Sequence, residues 1–137
     1  MLPEPTASHR FPRGLFLFYG LVWLVMAIAP RDLPTWVLEN VPVLVAVGFL
    51  VATSRRFTFS PPSYLLVVLF LLLHTYGARY GYAHTPAGDW AKEAFSLRRN
   101  YYDRVVHCAF GLLLLYPLRE VLLRKSGVSR VAAGWLA

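Results

Sequence analysis

Four apolar segments separated by short polar connections dominate the pattern of hydrophobic and polar positions along this chain. A transmembrane helix needs about 20 mostly apolar residues, and each segment approaches that length when its flanking aromatic residues are included. The pattern predicts an all-α fold, a polytopic bundle of about four transmembrane helices that forms a single membrane domain over residues 1–137. The predicted spans are residues 14–30, 36–54, 62–83 and 104–123.

Prolines indicate where these helices begin and end. Proline fits the first turn of a helix but disrupts its interior. We therefore expect Pro30 to end the first span and Pro61 and Pro62 to begin the third. In the second span, Pro42 is expected in the first helical turn, with Glu39 near the membrane interface.

A longer polar connection lies between the third and fourth spans. It contains a Pro/Gly/Asp turn signal at residues 85–89, followed by a mixed apolar and charged stretch from Trp90 to Leu97. Such a stretch is typical of a helix that lies in the membrane interface. We therefore expect a short interfacial helix between spans three and four.

The composition agrees with a bilayer environment and excludes a soluble four-helix bundle. Hydrophobic residues make up 57% of the chain and charged residues only 15%, against about 25% charged residues in soluble domains. A soluble bundle would show one polar face on each helix, whereas the first and third segments are apolar on all sides. The lipid bilayer is therefore the expected partner. The single cysteine, Cys108, excludes an internal disulfide.

The net charge of +7 arises from arginines and lysines that flank the apolar segments. This distribution favours a role in membrane topology and argues against nucleic acid as a partner, which would need a continuous basic surface. Cytoplasmic loops carry more Lys and Arg than external loops, so we expect a bacterial inner-membrane protein with both termini in the cytoplasm. The residues assigned to the cytoplasmic side are Arg10, Arg13, Arg55, Arg56, Arg124, Lys125 and Arg130.

Ionisable residues inside apolar spans indicate function, because their burial in lipid is costly. Asp103 and His107 are four residues apart and share one face of the fourth helix. With a rise of about 1.5 Å per residue, His74 on the third span reaches the same depth when the two helices pack as neighbours. We expect these three residues to form a polar site in the outer leaflet, where the Asp103 carboxylate accepts a hydrogen bond from His107 and fixes its tautomer.

Basic and aromatic residues extend this predicted site. Arg99 and Arg104 are expected to supply positive charge for an anionic headgroup or a phosphate, and Tyr82 belongs to a cluster of tyrosines at the same level. Structural roles stay open at this point. The histidines can serve as packing residues between helices, the aspartate–histidine pair can satisfy itself, and the tyrosines can form an interfacial belt.

Two further features limit the kinds of chemistry that we expect. Arg119 and Glu120 are predicted to form a local charge pair at the inner boundary of the membrane, about 20 Å from His107. His74, Asp103 and His107 are suitable ligand types for zinc, but no ligand motif such as H-E-x-x-H is present. We therefore expect no metal and no cofactor.

Two blocks of sequence carry a family pattern. The first is H-T-Y-G-A at residues 74–78 and continues to Pro86; the second is R-N-Y-Y-D-R-x-x-H at residues 99–107, followed by P-L-R-E at residues 117–120. This pattern resembles the DUF2238 or YjdF-like family of uncharacterised bacterial inner-membrane proteins. The resemblance adds Asn100 to the predicted polar site. It also implies a short or truncated member, because such proteins generally continue with further spans after the R-E pair, and residues 132–137 would begin another helix.

Three functions agree with these features. In the first, a non-enzymatic membrane protein binds an anionic lipid, an envelope precursor or a small solute at the outer-leaflet site. In the second, an enzyme acts on a lipid-linked substrate, with His107 as a general base oriented by Asp103. In the third, the chain is a structural subunit of an oligomer or a larger membrane assembly, and its charge pairs hold helices together. The sequence leaves this choice open.

Overall fold

The computed structural model describes residues 10–54 and 56–125, and this part of the chain contains helices, turns and loops but no strand. The elements, in chain order, are α1 (Arg10–Met26), α2 (Leu33–Thr53), α3 (Pro61–Tyr80), a 3-10 turn (Tyr82–His84), α4 (Pro86–Ala94) and α5 (Tyr102–Lys125). The predicted all-α membrane bundle is confirmed. The predicted helix start at residues 132–137 lies outside the described residues.

Three of the described helices, α2, α3 and α5, are long and apolar enough to cross a membrane, and α1 is a shorter apolar helix. Its 17 residues extend over about 25 Å. Large hydrophobic side chains cover the outer surfaces of the bundle, for example Leu17, Leu38 and Leu112, which are 75%, 72% and 75% exposed. A soluble protein rarely exposes so much apolar surface, whereas lipid solvates it.

Helix α3 forms the centre of the bundle, and α1, α2 and α5 each pack against it. The buried core joins Tyr19 of α1, Val43 of α2, and Val68 and Leu71 of α3. Successive helices of the bundle run in opposite directions, so their connections lie alternately at its two ends. We call one the α4 end, where α4 and the α1–α2 connection lie, and the other the Glu120 end, where α2 leads into α3 and α5 terminates.

Helix α1 ends before the predicted Pro30 because an arginine from α3 caps it. The Arg79 guanidinium donates to the carbonyl oxygens of Val25, Met26 and Ile28 at 3.0, 3.3 and 2.6 Å. Carbonyls at a helix C-terminus lack the regular intrahelical amide donors, and among these three the Val25 carbonyl has a main-chain donor in the Ile28 amide, at 3.2 Å. Ala29 then takes a positive φ of 49°, and the chain turns toward α2.

Helix α2 begins earlier than predicted. The Asp32 carboxylate accepts a hydrogen bond from the Thr35 amide at 3.1 Å, which caps the helix and lowers the pKa of Asp32. Pro34 therefore occupies the first turn, and Pro42 lies inside the helix rather than at its start. The expected first-turn position of Pro42 is wrong, because the cap that decides the boundary lies ten residues upstream.

The short helix between spans three and four exists as predicted, but it begins four residues earlier than expected, at Pro86. In the stretch 85–89, whose composition indicated a turn, Thr85 is the N-cap and residues 86–89 form the first half of the helix. Proline fits the first helical turn because it needs no amide donor there. Gly88 faces the buried Asn100 side chain so closely that a Cβ atom would overlap the amide group.

Candidate functional site

A groove runs between α2 and α5, with α3 as its floor, because both helices pack against α3 and make little contact with each other. Its volume is about 660 Å³. Apolar side chains line most of its length, including Ala46 and Phe49 of α2, Val67 of α3 and Phe110 of α5. Polar side chains line it only at the α4 end: Glu39, His74, Tyr82, Asp103 and His107. We call this cavity the α2–α5 groove.

Three of the polar groups form a hydrogen-bonded chain across different elements. Nε2 of His74 lies 3.1 Å from the carbonyl oxygen of Glu39. A carbonyl only accepts, so Nε2 carries the proton, and Nδ1 of a neutral His74 is the acceptor. The Tyr82 hydroxyl, 2.8 Å from Nδ1, therefore donates to it. The same hydroxyl lies 3.4 Å from Oε2 of Glu39.

Gly77 on α3 leaves room for the Tyr82 ring because it has no side chain. A Cβ atom at Gly77 would lie 2.5 Å from the Tyr82 ring, so only glycine allows the ring to pack directly on the helix backbone. Burial, and next the neighbouring Glu39 carboxylate, raise the pKa of Tyr82. The hydroxyl therefore remains protonated and able to donate well into the alkaline range.

The structure corrects the expected Asp103–His107 hydrogen bond. Nδ1 of His107 donates to the main-chain carbonyl of Asp103 at 2.6 Å, not to its carboxylate. The tautomer is fixed as expected, but by the backbone, and Nε2 of a neutral His107 remains an acceptor. Of the carboxylate oxygens of Asp103, Oδ2 lies 3.5 Å from the Arg99 guanidinium, whereas Oδ1 is buried without a hydrogen-bond partner among the described residues.

The two arginines predicted for this site lie outside the groove. The guanidinium groups of Arg99 and Arg104 lie over the Tyr101 ring, 5.0 and 5.2 Å from its centre, and neither lines the cavity. The Arg99 side chain is 54% exposed. Their positive charge belongs to the outer surface of the α4 end.

Asn100 also lies away from the groove and has structural contacts. Its Nδ2 donates to the carbonyl of Thr85 at 3.0 Å and to Oδ1 of Asp89 at 3.1 Å. Its Oδ1 accepts from the Tyr102 amide at 3.0 Å, the pattern of an Asx turn. The buried side chain thus fastens α4 to the start of α5.

At the opposite end, the predicted Arg119–Glu120 pair is replaced by another. Glu120 pairs with Arg124 at 2.8 Å, one helical turn further along α5. It also accepts hydrogen bonds from the amide and hydroxyl of Ser60 and from the hydroxyl of Ser63. Glu120 therefore joins α5 to the start of α3 and lies far from the α2–α5 groove.

Glu39 is the groove residue that sequence reasoning missed. Its carboxylate belongs to a helix whose other residues from Leu33 to Thr53 are uncharged, which was the available signal. The sequence pattern assigns Glu39 to the interface because it predicts that α2 begins near this residue. The additional turn at the start of α2 carries this carboxylate to the groove. Among the described residues, no three His, Cys, Asp or Glu side chains come close enough to hold a metal ion.

Comparison with known proteins identifies the family. The model of the family described as "Predicted membrane protein (DUF2238)" matches residues 11–137. The chain belongs to the DUF2238 family. The inner membrane protein YjdF of Escherichia coli (strain K12) is 36% identical over 104 residues, which cover 76% of this chain and 50% of that relative.

This membership confirms the predicted resemblance and the membrane character of the fold. The DUF2238 chain spans about half the length of the curated relative that it matches. No solved structure matches it at a significant level. Support for the α2–α5 groove and its polar end therefore comes from the structure of this chain alone.

Proposed function

We propose that this DUF2238 protein is a multi-pass protein of the inner membrane that binds a lipid in the α2–α5 groove. The lipid chain lies along the apolar length of the groove, and the headgroup lies at its polar end. The observation that carries this proposal is the division of one cavity into an apolar body and a polar end formed by Glu39, His74, Tyr82, Asp103 and His107.

The dimensions of the groove support a lipid as its ligand. From Glu39 to Leu50 the lining residues of α2 extend over about 16 Å, a large part of one leaflet. The volume of about 660 Å³ lies within the range of about 300–1,000 Å³ typical of small-molecule sites. A lipid can enter sideways from the bilayer between α2 and α5 because these helices do not close over α3.

The proposed orientation puts both termini in the cytoplasm and the α4 end at the external face. The basic residues of the N-terminal segment, the α2–α3 connection and the end of α5 all belong to the opposite side. They outnumber the basic residues of the loops at the α4 end, which are Arg31, Lys92, Arg98, Arg99 and Arg104, and the positive-inside rule favours the more basic side as the cytoplasmic one. The headgroup end of the groove then lies in the outer leaflet.

Filling the groove tests this function. Ala46 lines the cavity, whereas Ala52 is exposed on the same helix and does not line it. We expect Ala46→Trp to lower the amount of co-purified lipid by about tenfold, while Ala52→Trp matches the wild type. Native mass spectrometry of the protein in detergent, supplied with dioleoyl phosphatidylethanolamine and phosphatidylglycerol, measures bound lipid per chain. Equal retention by both variants would contradict the proposal.

One observation favours an enzyme as the second candidate. Nδ1 of His107 donates to a carbonyl, so Nε2 of this groove-lining residue keeps a free lone pair, which a general base requires. This hypothesis predicts that the protein in phosphatidylethanolamine and phosphatidylglycerol vesicles releases a lipid cleavage product. His107→Gln would reduce the rate by about 10²–10⁴-fold without loss of membrane insertion. Unchanged lipids in both samples would exclude it for these substrates.

A further inference from the structure

The polar end of the α2–α5 groove offers hydrogen-bond acceptors. Oε1 of Glu39 has no hydrogen bond to another described residue, and Oδ1 of Asp103 is buried without a partner among them. Nε2 of His107 is a third acceptor, because its Nδ1 is the nitrogen that donates. These atoms belong to side chains on both walls of the groove, α2 and α5.

The same end offers no free donor from the described groove-lining residues. The Tyr82 hydroxyl donates to His74, and Nε2 of His74 donates to the Glu39 carbonyl. Within the part of the chain that the structure describes, no lysine or arginine lines the cavity. Arg79, the nearest basic residue on α3, is occupied by the carbonyls of α1.

This arrangement favours a ligand whose headgroup carries a positive charge. A phosphate at this position would face the carboxylates of Glu39 and Asp103 without a free donor from a groove-lining residue, and burial makes such an unpaired charge costly. Arg99, whose guanidinium lies 3.5 Å from Oδ2 of Asp103, does not line the cavity. A primary ammonium group has three N–H donors and a positive charge. It therefore matches the charge of the two carboxylates and can donate to acceptors that have no other partner.

We propose that the polar end of the groove recognises the primary ammonium headgroup of an aminophospholipid such as phosphatidylethanolamine. This inference rests on the proposed lipid-binding function. It replaces the anionic headgroup expected from Arg99 and Arg104, because neither arginine lines the cavity and both lie over the Tyr101 ring. The phosphate of the lipid would remain outside the acceptor cluster, toward the arginine-bearing surface of the α4 end.

Three lipids with identical acyl chains separate the contribution of the headgroup charge from that of its N–H donors. Dioleoyl phosphatidylethanolamine has an ammonium group with N–H donors, dioleoyl phosphatidylcholine has the same charge without them, and dioleoyl phosphatidylglycerol has a net negative charge. Native mass spectrometry of the full chain in detergent, titrated with each lipid, gives the apparent Kd. We expect phosphatidylethanolamine to bind about tenfold more tightly than either other lipid, since charged hydrogen bonds contribute this much.

Matched variants assign the preference to the groove. Glu39→Gln and Asp103→Asn keep the size of each side chain and remove its charge, so we expect phosphatidylethanolamine binding to fall to the level of phosphatidylcholine. Glu93→Gln removes an exposed carboxylate from α4 at the same end and should keep the full preference. Melting curves of each variant in detergent check that the fold is intact.

The possible outcomes distinguish a failure of the ammonium assignment from a failure of the proposed lipid-binding function. Equal binding of phosphatidylethanolamine and phosphatidylcholine, or tightest binding of phosphatidylglycerol, would overturn the ammonium assignment. Lipid binding itself would stand in either case if Ala46→Trp still reduced it. Retained preference in both Glu39→Gln and Asp103→Asn would also overturn the assignment. Failure of every lipid to bind, with no effect of Ala46→Trp, would sink the proposed function as well.

Discussion

At the scale of single residues, the polar end of the groove shows how histidine is accommodated inside apolar helices. His74 lies on α3 but uses both ring nitrogens on groups from other elements, the Glu39 carbonyl and the Tyr82 hydroxyl. Each bond satisfies a group that would be costly to bury without a partner. The site therefore depends on Tyr82, a residue of the loop after α3, as much as on the span itself.

Removing the Tyr82 hydroxyl should destabilise the protein. Tyr82→Phe leaves Nδ1 of His74 without a donor, and we expect a loss of about 1–2 kcal/mol in the free energy of unfolding. Unfolding in mixed detergent micelles measures this loss. Tyr101→Phe is the matched control, because the Tyr101 hydroxyl has no hydrogen bond to another described residue.

The same substitution should change the alkaline limit of stability. Because the fold raises the pKa of Tyr82, its contribution is complete below the ordinary tyrosine pKa of about 10. The contribution is then lost as the pH rises through the higher folded-state value. Tyr82→Phe should therefore lose less stability above pH 10 than the wild type does, and an equal loss would contradict this assignment.

Gly88 is a second position where one residue determines the local packing. A Cβ atom there would overlap the buried Asn100 amide, so Gly88→Ala should cost about 1–3 kcal/mol through overpacking. Gly111→Ala, also in a helix, places its Cβ in open space and should be neutral or slightly stabilising. Thermal unfolding of both variants in detergent makes the comparison. Equal melting temperatures would show that the α4–α5 contact tolerates the methyl group.

At the scale of helices, side chains on one element complete the ends of another. Arg79 of α3 caps the C-terminus of α1, and Glu120 of α5 accepts the donors at the start of α3. A carboxylate is favourable near a helix N-terminus and a guanidinium near a C-terminus because of the helix dipole. These charged residues, conspicuous beside apolar spans, therefore have structural roles.

Loss of the Glu120 carboxylate should loosen the contact between α3 and α5. The Glu120 side chain is only 12% exposed, and Ser63 beneath it is fully buried. We expect Glu120→Ala to cost about 2–4 kcal/mol, because it leaves the serine donors and Arg124 without their acceptor. Glu93→Ala, an exposed position on α4, should stay within about 0.5 kcal/mol of the wild type. Comparable losses in the two variants would rule out the structural role of Glu120.

At the scale of the whole molecule, the bundle is organised around α3 and presents apolar side chains on its outer surface. This arrangement is the reverse of a soluble bundle, since lipid solvates what water would not. The groove exists because α2 and α5 both use α3 as their support and leave the space between them open. The depth of its polar end in the bilayer depends on the proposed orientation.

Labelling of engineered cysteines tests that orientation. In a Cys108→Ser background, we expect Ala87→Cys on α4 to react with a membrane-impermeant maleimide in intact spheroplasts. Ser8→Cys and Ser129→Cys, near the two termini, should react only after the membrane is permeabilised. The reverse pattern would place the α4 end in the cytoplasm and move the polar end of the groove to the inner leaflet.

Much of the fold could be predicted from the sequence, whereas only part of the site could. Apolar segments of spanning length must become helices in a bilayer, because their backbone groups have no other partners there. The common level of His74, Asp103 and His107 followed from helical rise. The presence of Glu39 in the site and the absence of Arg99 and Arg104 from it could not be predicted in this way. Each depends on where a helix starts or on how it is rotated.

The sequence by itself therefore determined an all-α membrane bundle, its family and the common level of His74, Asp103 and His107 along α3 and α5, since these depend on hydropathy, short patterns and rise per residue. Only the tertiary structure decided which polar atoms meet. It gave His107 a backbone partner, paired Glu120 with Arg124 and left the Asp103 oxygen Oδ1 buried without a partner among the described residues. These outcomes depend on the packing of α2 and α5 on α3, which sets the rotation of each helix.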